Sequence, residues 1–184
     1  MTKKLLMAAT GTLALLAASP AFAQTADVTI NSQLAVQDGC IINGGPAATA
    51  LLDFGLLQNA GGQTANIDAQ TSTGAISVSC NVSSTTAAFT IGKGANGSTT
   101  LRTLQNAAAI GGAGEFVSYR LYATPGRTPA SEYVPDGTSI PFNGGVITAG
   151  TPFEIVIYGR IAAGDANLAV SGNYTDNATG TLTF

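Results

Sequence analysis

Residues 27–37 read Asp27-Val28-Thr29-Ile30-Asn31-Ser32-Gln33-Leu34-Ala35-Val36-Gln37. Val28, Ile30, Leu34 and Val36 fall on even positions, with Thr29, Asn31, Gln33 and Gln37 between them. Successive side chains of a β-strand point to opposite faces, so this spacing predicts a strand with one apolar and one polar face. Placed ahead of the first cysteine, at the start of the mature chain, such a strand can be lent to a neighbour.

Upstream, Lys3 and Lys4, the apolar stretch from Leu5 to Ala18, and Ala21-Phe22-Ala23 read as a secretory signal peptide over 1–23, with Gln24 as the new N-terminus. The apolar stretch is shorter than the about 20 residues a spanning helix needs, and no later segment approaches that length. No integral membrane segment is therefore expected after cleavage. About 160 residues remain, the size of one domain.

Losing Lys3 and Lys4 takes the formal net charge from -3 to -5, with Lys93, Arg102, Arg120, Arg127 and Arg160 set against ten acidic residues. Nucleic-acid binding draws on clustered Lys and Arg, so nucleic acid is a poor partner. Charged residues make up 9% of the chain, against about 25% in ordinary soluble domains. A surface so poor in charge suits a protein packed among copies of itself; the plainer alternative is a secreted, small-residue-rich domain that does not assemble.

Cys40 and Cys80 are the only cysteines. In the oxidising compartment that an exported chain meets, they are expected to pair as a disulfide. Closing a loop of that length contributes on the order of 4 kcal/mol in the chain-entropy account. Two thiols without a histidine do not complete a zinc site.

Further period-two stretches predict half-buried strands: Ala75 to Cys80, with Ile76, Val78 and Cys80 on one face; Val117 to Leu121; and the C-terminus, where Leu182 and Phe184 oppose Thr179, Thr181 and Thr183. The apolar run within Phe153–Ile161 predicts a central strand covered on both faces. Turn signals stand at Ala95-Asn96-Gly97, Asp136-Gly137, Asn143-Gly144-Gly145 and 164–167. Gly44-Gly45, Gly61-Gly62 and 111–114 read as loops, and Leu101 to Ala109 as one helical turn at most. Many short strands with this punctuation predict an antiparallel sandwich.

The residues for catalysis are missing. There is no histidine to shuttle a proton in a Ser-His-Asp or Cys-His arrangement, and Lys93 sits between two glycines without the spacing of a phosphate loop. The carboxylates are scattered, and Asp136 and Asp176 read as turn residues. No enzyme, cofactor or metal is expected.

Taken in order, the strand leading to Gly39-Cys40, Gly74 to Cys80, Phe89-Thr90-Ile91 running to Arg102-Thr103-Leu104, Val117 to Tyr122, Tyr158-Gly159-Arg160-Ile161, and Gly172 to Asp176 closing on Phe184 resemble the spore coat protein U domain family. That family includes the Csu-type subunits of archaic chaperone-usher pili. The resemblance covers the whole mature chain and implies an all-β fold: an incomplete immunoglobulin-like antiparallel β-sandwich over 38–184, completed by donor-strand exchange with residues 24–37 of another subunit. It implies a periplasmic chaperone, an outer-membrane usher and sister or other pilus subunits as partners. The expected location is a cell-surface fimbrium reached through the periplasm, serving adhesion and biofilm formation.

By the same resemblance Val28 and Ile30 belong to the donor face, joined by Leu34 and Val36 unless these two already form the domain's own first strand. Ser32, on the same face, marks either a shallow pocket or the hinge between lent and retained strand. Leu182, Phe184 and the terminal carboxylate are expected chaperone contacts, and the chain is expected to end at Phe184 with nothing left to close the sheet. Two other readings stay open: a secreted spore or cell coat protein, and a tip adhesin or carbohydrate-binding module.

Overall fold

Among the described residues eleven short strands are formed, and every pairing between them is antiparallel. The structure is a computed structural model that describes residue 34 and residues 39–45, 48–58, 60–112 and 114–184; residues 37–184 form a unit of their own. In chain order the strands are β1 (Cys40–Ile42), β2 (Ile67–Gln70), β3 (Ser77–Cys80), β4 (Ala88–Ile91), β5 (Arg102–Asn106), β6 (Phe116–Tyr122), β7 (Ile140–Pro141), β8 (Phe153–Glu154), β9 (Tyr158–Ile161), β10 (Tyr174–Thr175) and β11 (Gly180–Thr183). They form a five-stranded sheet ordered β10-β5-β6-β9-β2 and two three-stranded sheets, β1-β3-β8 and β11-β4-β7. Helix among the described residues is limited to single 3-10 turns.

One core joins all three sheets. Val78 and Cys80 of β3, Phe89 and Ile91 of β4, Val117, Tyr119 and Leu121 of β6 and Ile161 of β9 are buried in a single cluster. Alternation explains which residues point inward: Ser77 and Ser79 are less buried than Val78 and Cys80, and Ser118 and Arg120 less than their apolar neighbours. The result is the expected all-β, antiparallel fold, its three sheets packed around one core.

Phe153 to Ile161 departs from the single central strand predicted for it. Phe153–Glu154 pairs with β3 as an edge strand, whereas Tyr158–Ile161 lies between β6 and β2 in the five-stranded sheet. Residues 155–157 cross between the layers. Ile155 and Ile157 are buried during the crossing, and the backbone of Ile157 is bonded to Thr71, whose Oγ1 accepts the Ile157 N–H at 3.0 Å and whose own N–H reaches the Ile157 carbonyl at 2.9 Å. The run is apolar because it traverses the core, which periodicity alone does not distinguish from a doubly covered strand.

Leu101 to Ala109 also departs from expectation. Residues 102–106 are a strand paired with β6, and only Ala107–Ala109 forms a turn, capped by the Asn106 side chain. The strand begins with Arg102, a charged residue only 1% exposed. Its Nε donates to the Gly92 carbonyl at 2.8 Å, and its two terminal nitrogens donate to the carbonyls of Tyr133 and Ile91. Burial lowers its pKa, yet an arginine keeps its proton and spends it on backbone acceptors.

Residues 48–58 form no strand but still alternate, with Leu52 and Phe54 turned toward the core and Leu51 exposed. Gly159 makes this possible, because a Cβ there would lie 2.7 Å from Leu52 Cδ2 and 2.8 Å from Phe54 Cζ. Phe54 then meets Tyr119 edge to face, ring centroids 6.0 Å apart. At the surface, Arg160 clasps Asp68 through two bonds of 2.7 and 2.8 Å, with Arg127 at 3.5 Å.

Replacing Arg102 by Met keeps the side chain's length but strands three buried carbonyls. Each unsatisfied group costs about 1–3 kcal/mol, so urea unfolding should show a loss of roughly 3 kcal/mol or more; an unchanged midpoint would refute the role. The hydrogen bond from Arg160 holds the Asp68 carboxyl below its ordinary 3.8. Its contribution is therefore present above that value and fades as pH falls through the lowered one. Because the carboxylate is partly exposed, the contribution is under about 1 kcal/mol; Asp68→Asn should lower stability by that amount at neutral pH and remove the acid-side decline with it.

Candidate functional site

An unpaired strand edge presents N–H and C=O groups that invite another chain, and β1, β2, β7, β8, β10 and β11 are the edge strands among the described residues. β7, β8 and β10 are two residues long, and β7 includes Pro141, which has no N–H to offer. β2 carries the Asp68–Arg160 ion pair, and charge deters pairing. β1 is closed by its own turn: Ile42 and Gly45 exchange N–H···O bonds of 2.7 and 2.9 Å.

That turn is tight because Asn43 and Gly44 both adopt positive φ, 50° and 77°, as an Asn-Gly two-residue hairpin requires. The Asn43 side chain then continues the β1–β3 ladder. Its Oδ1 accepts the Ser77 N–H at 2.7 Å and its Nδ2 donates to the Ala75 carbonyl at 2.8 Å.

β11 is different. It is four residues long, lacks charge and proline, and among the described residues pairs on one side only, with β4. Gly92 N–H bonds to the Thr179 carbonyl at 3.0 Å, which fixes the phase of the ladder. Thr181 and Thr183 therefore direct their backbone groups toward β4, and Gly180 and Leu182 direct theirs to the open side. The same two residues face the core. Leu182 is half-buried against it, and Gly180 lies beneath the Phe89 ring, where a Cβ would come within 2.4 Å of Phe89 Cζ. Phe89 in turn packs edge to face on Tyr133 at 5.7 Å, a tyrosine whose pKa burial pushes up to about 12.

The approach to β11 is fixed by Asp176, which does more than serve a turn as expected. Its Oδ1 accepts the N–H groups of Ala95 and Asn96 at 2.8 and 3.1 Å, and its Oδ2 accepts the Tyr119 hydroxyl at 2.7 Å. Burial, assisted by this bond, pushes the Tyr119 pKa above its usual value. Asp136 is the turn residue anticipated, accepting from the Thr138 N–H and hydroxyl through one oxygen.

The residues singled out in the sequence fall unevenly. Cys40 and Cys80 are joined as a disulfide, directly opposite each other on β1 and β3. Gly39 and Asn81 beside them form a hydrogen-bonded step at 3.0 Å, so the cysteines occupy the closer, non-hydrogen-bonded position, within reach of a bridge. Leu182 is on β11, while Phe184 lies past its end and is 44% exposed. Leu34 is 89% exposed; Val28, Ile30 and Val36 lie outside the described residues. Asn43, Gly180 and the Leu52/Phe54 pair were not picked out, although Asn43-Gly44 and the alternation of 51–54 were readable signals.

Comparison with known proteins resolves the ancestry. The sequence profile of the Spore Coat Protein U domain matches residues 25–181. The chain belongs to the Spore Coat Protein U domain family. This family member is 34% identical to Protein U of Myxococcus xanthus over 188 residues, covering 99% of this chain and 98% of that one. Among solved structures, a chain of a chaperone-usher pilus aligns with 91% of the Spore Coat Protein U chain and 99% of its own, at 17% identity and a TM-score of 0.42.

Asn43→Asp replaces a donor with an acceptor facing the Ala75 carbonyl. It should lower stability by about 0.5–1.5 kcal/mol, measured by urea denaturation of the oxidised protein; a neutral result would show that the Nδ2 bond adds nothing to the ladder. Gly180→Ala should cost about 1–3 kcal/mol by displacing the Phe89 ring.

Proposed function

We propose that this chain is a structural subunit of a secreted chaperone-usher fibre, assembled by donor-strand exchange. The observation that carries the reading is β11, a terminal strand with one open edge whose edge groups and inward side chains belong to the same residues, Gly180 and Leu182. Residues 24–37 supply a strand of matching character, with Val28, Ile30, Leu34 and Val36 on one face. Strand addition gains affinity from the backbone and specificity from alternate side chains. Burying four aliphatic side chains contributes roughly 6–12 kcal/mol gross, and each ladder bond about 1 kcal/mol more.

On this reading the subunit crosses the periplasm held by a chaperone at Leu182 and Phe184, and an outer-membrane usher exchanges that contact for the N-terminal segment of the next subunit. The finished fibre lies outside the cell and supports attachment and biofilm growth. A second reading, a coat layered on a cell or spore, is favoured by the description of the family matched over residues 25–181, Spore Coat Protein U domain. The two differ in their need for strand exchange.

Deleting residues 24–37 after the signal cleavage site separates them. The fibre reading expects secreted monomer and no filaments by electron microscopy, and normal filaments from the truncated protein would end it. A coat that still forms without filaments in the intact protein would favour the second reading.

A further inference from the structure

Strand β1 has only three residues; Ile41 at its centre is half exposed, while Cys40 and Ile42 are partly buried against the core. Its fastenings are at its ends. Cys40 is bridged to Cys80, and beside the bridge Gly39 N–H donates to Asn81 Oδ1 at 2.7 Å while Asn81 N–H donates to the Gly39 carbonyl at 3.0 Å. At the far end Asn43 ties the turn to Ser77 and Ala75. The far side of the bridge is firmly seated: Cys80 is 2% exposed and belongs to the middle strand of its sheet, next to the fully buried Val78.

A pull arriving along the chain from upstream reaches Gly39 and then Cys40, and there meets two routes. One continues through β1 and on through the chain to β3; the other passes through a single covalent bond to Cys80 and Asn81. The bond is the shorter and stiffer route. We propose that the Cys40–Cys80 bridge takes residues 41–79 out of the line of tension, so that the β1 hairpin, the Leu52/Phe54 segment, β2 and the start of β3 are shielded when the N-terminal segment is pulled. This rests on the assembly reading, in which residues 24–37 are gripped by a neighbouring subunit whenever a fibre is stretched. Without the bridge, an edge strand pulled from its end opens one rung at a time, beginning with the Gly39–Asn81 step and passing through Cys40 into β1.

Single-molecule pulling on the full mature chain, tethered at its two ends, tests the proposal. The oxidised chain should show a first event at higher force than the same chain under a thiol reductant. The bridge closes a span of 40 residues, so reduction should also add about 140 Å of extension at roughly 3.5 Å per residue. Oxidised Asn43→Ala should open at the wild-type force, because Asn43 lies within the shielded span; reduced Asn43→Ala should open more easily still. Equal first-event forces in oxidised and reduced wild type would overturn the proposal, as would a weakened first event in oxidised Asn43→Ala. Reduction of already folded protein avoids dependence on a cysteine-free variant that fails to fold. Absence of fibres would count against the assembly reading alone, since the tethered chain gives the force comparison without one.

Discussion

A backbone that ends a sheet must leave its outward N–H and C=O groups to water or to another chain, and this constraint organises the molecule. Proline, shortness, an ion pair or a self-closing turn quiets the other described edges, each by a different means. β11 has none of these devices. Among the described edges it is the one left open, and on the proposed assembly it is where the N-terminal segment of a neighbour would dock.

Keeping such an edge usable requires β11 to be held in place without being covered. The described contacts do this largely with polar groups aimed at backbone. Arg102 gathers the carbonyls of Ile91 and Gly92 at the end of β4, the strand that β11 pairs with. Asp176 fastens the chain just before β11 to the loop after β4 and to Tyr119. Such bonds fix direction, whereas apolar packing fixes only proximity, and a docking strand needs the ladder's direction as much as its depth.

Most of the fold was legible where one side chain in two is apolar, as in β3, β6 and β11. It was hidden where polar residues carry structural work. β5 opens with a buried arginine and contains Thr103 and Gln105, so no alternation announced it. The apolar run at 155–157 was visible, but its crossing between layers depends on Thr71, distant in sequence. Asp176 looked like a turn residue because its partners, Tyr119, Ala95 and Asn96, come from elsewhere in the chain. Of the site itself, Leu182 and the disulfide were readable; the phase of the β11 ladder was not, since it is set by Gly92 and Thr179 across two strands.

That phase also bears on where the strength of a joint would come from. The open side of β11 offers the groups of Gly180 and Leu182, a short ladder worth only a few bonds at about 1 kcal/mol each. Each buried aliphatic side chain contributes about 1.5–3 kcal/mol. Side chains therefore outweigh the backbone in such a joint, and an incoming strand of the right length but without Val28 and Ile30 would align without holding. On the proposed assembly, the alternating apolar residues of 24–37 and the narrow edge of β11 would be two parts of one requirement: the edge would set the register, and the side chains would supply most of the free energy that keeps it.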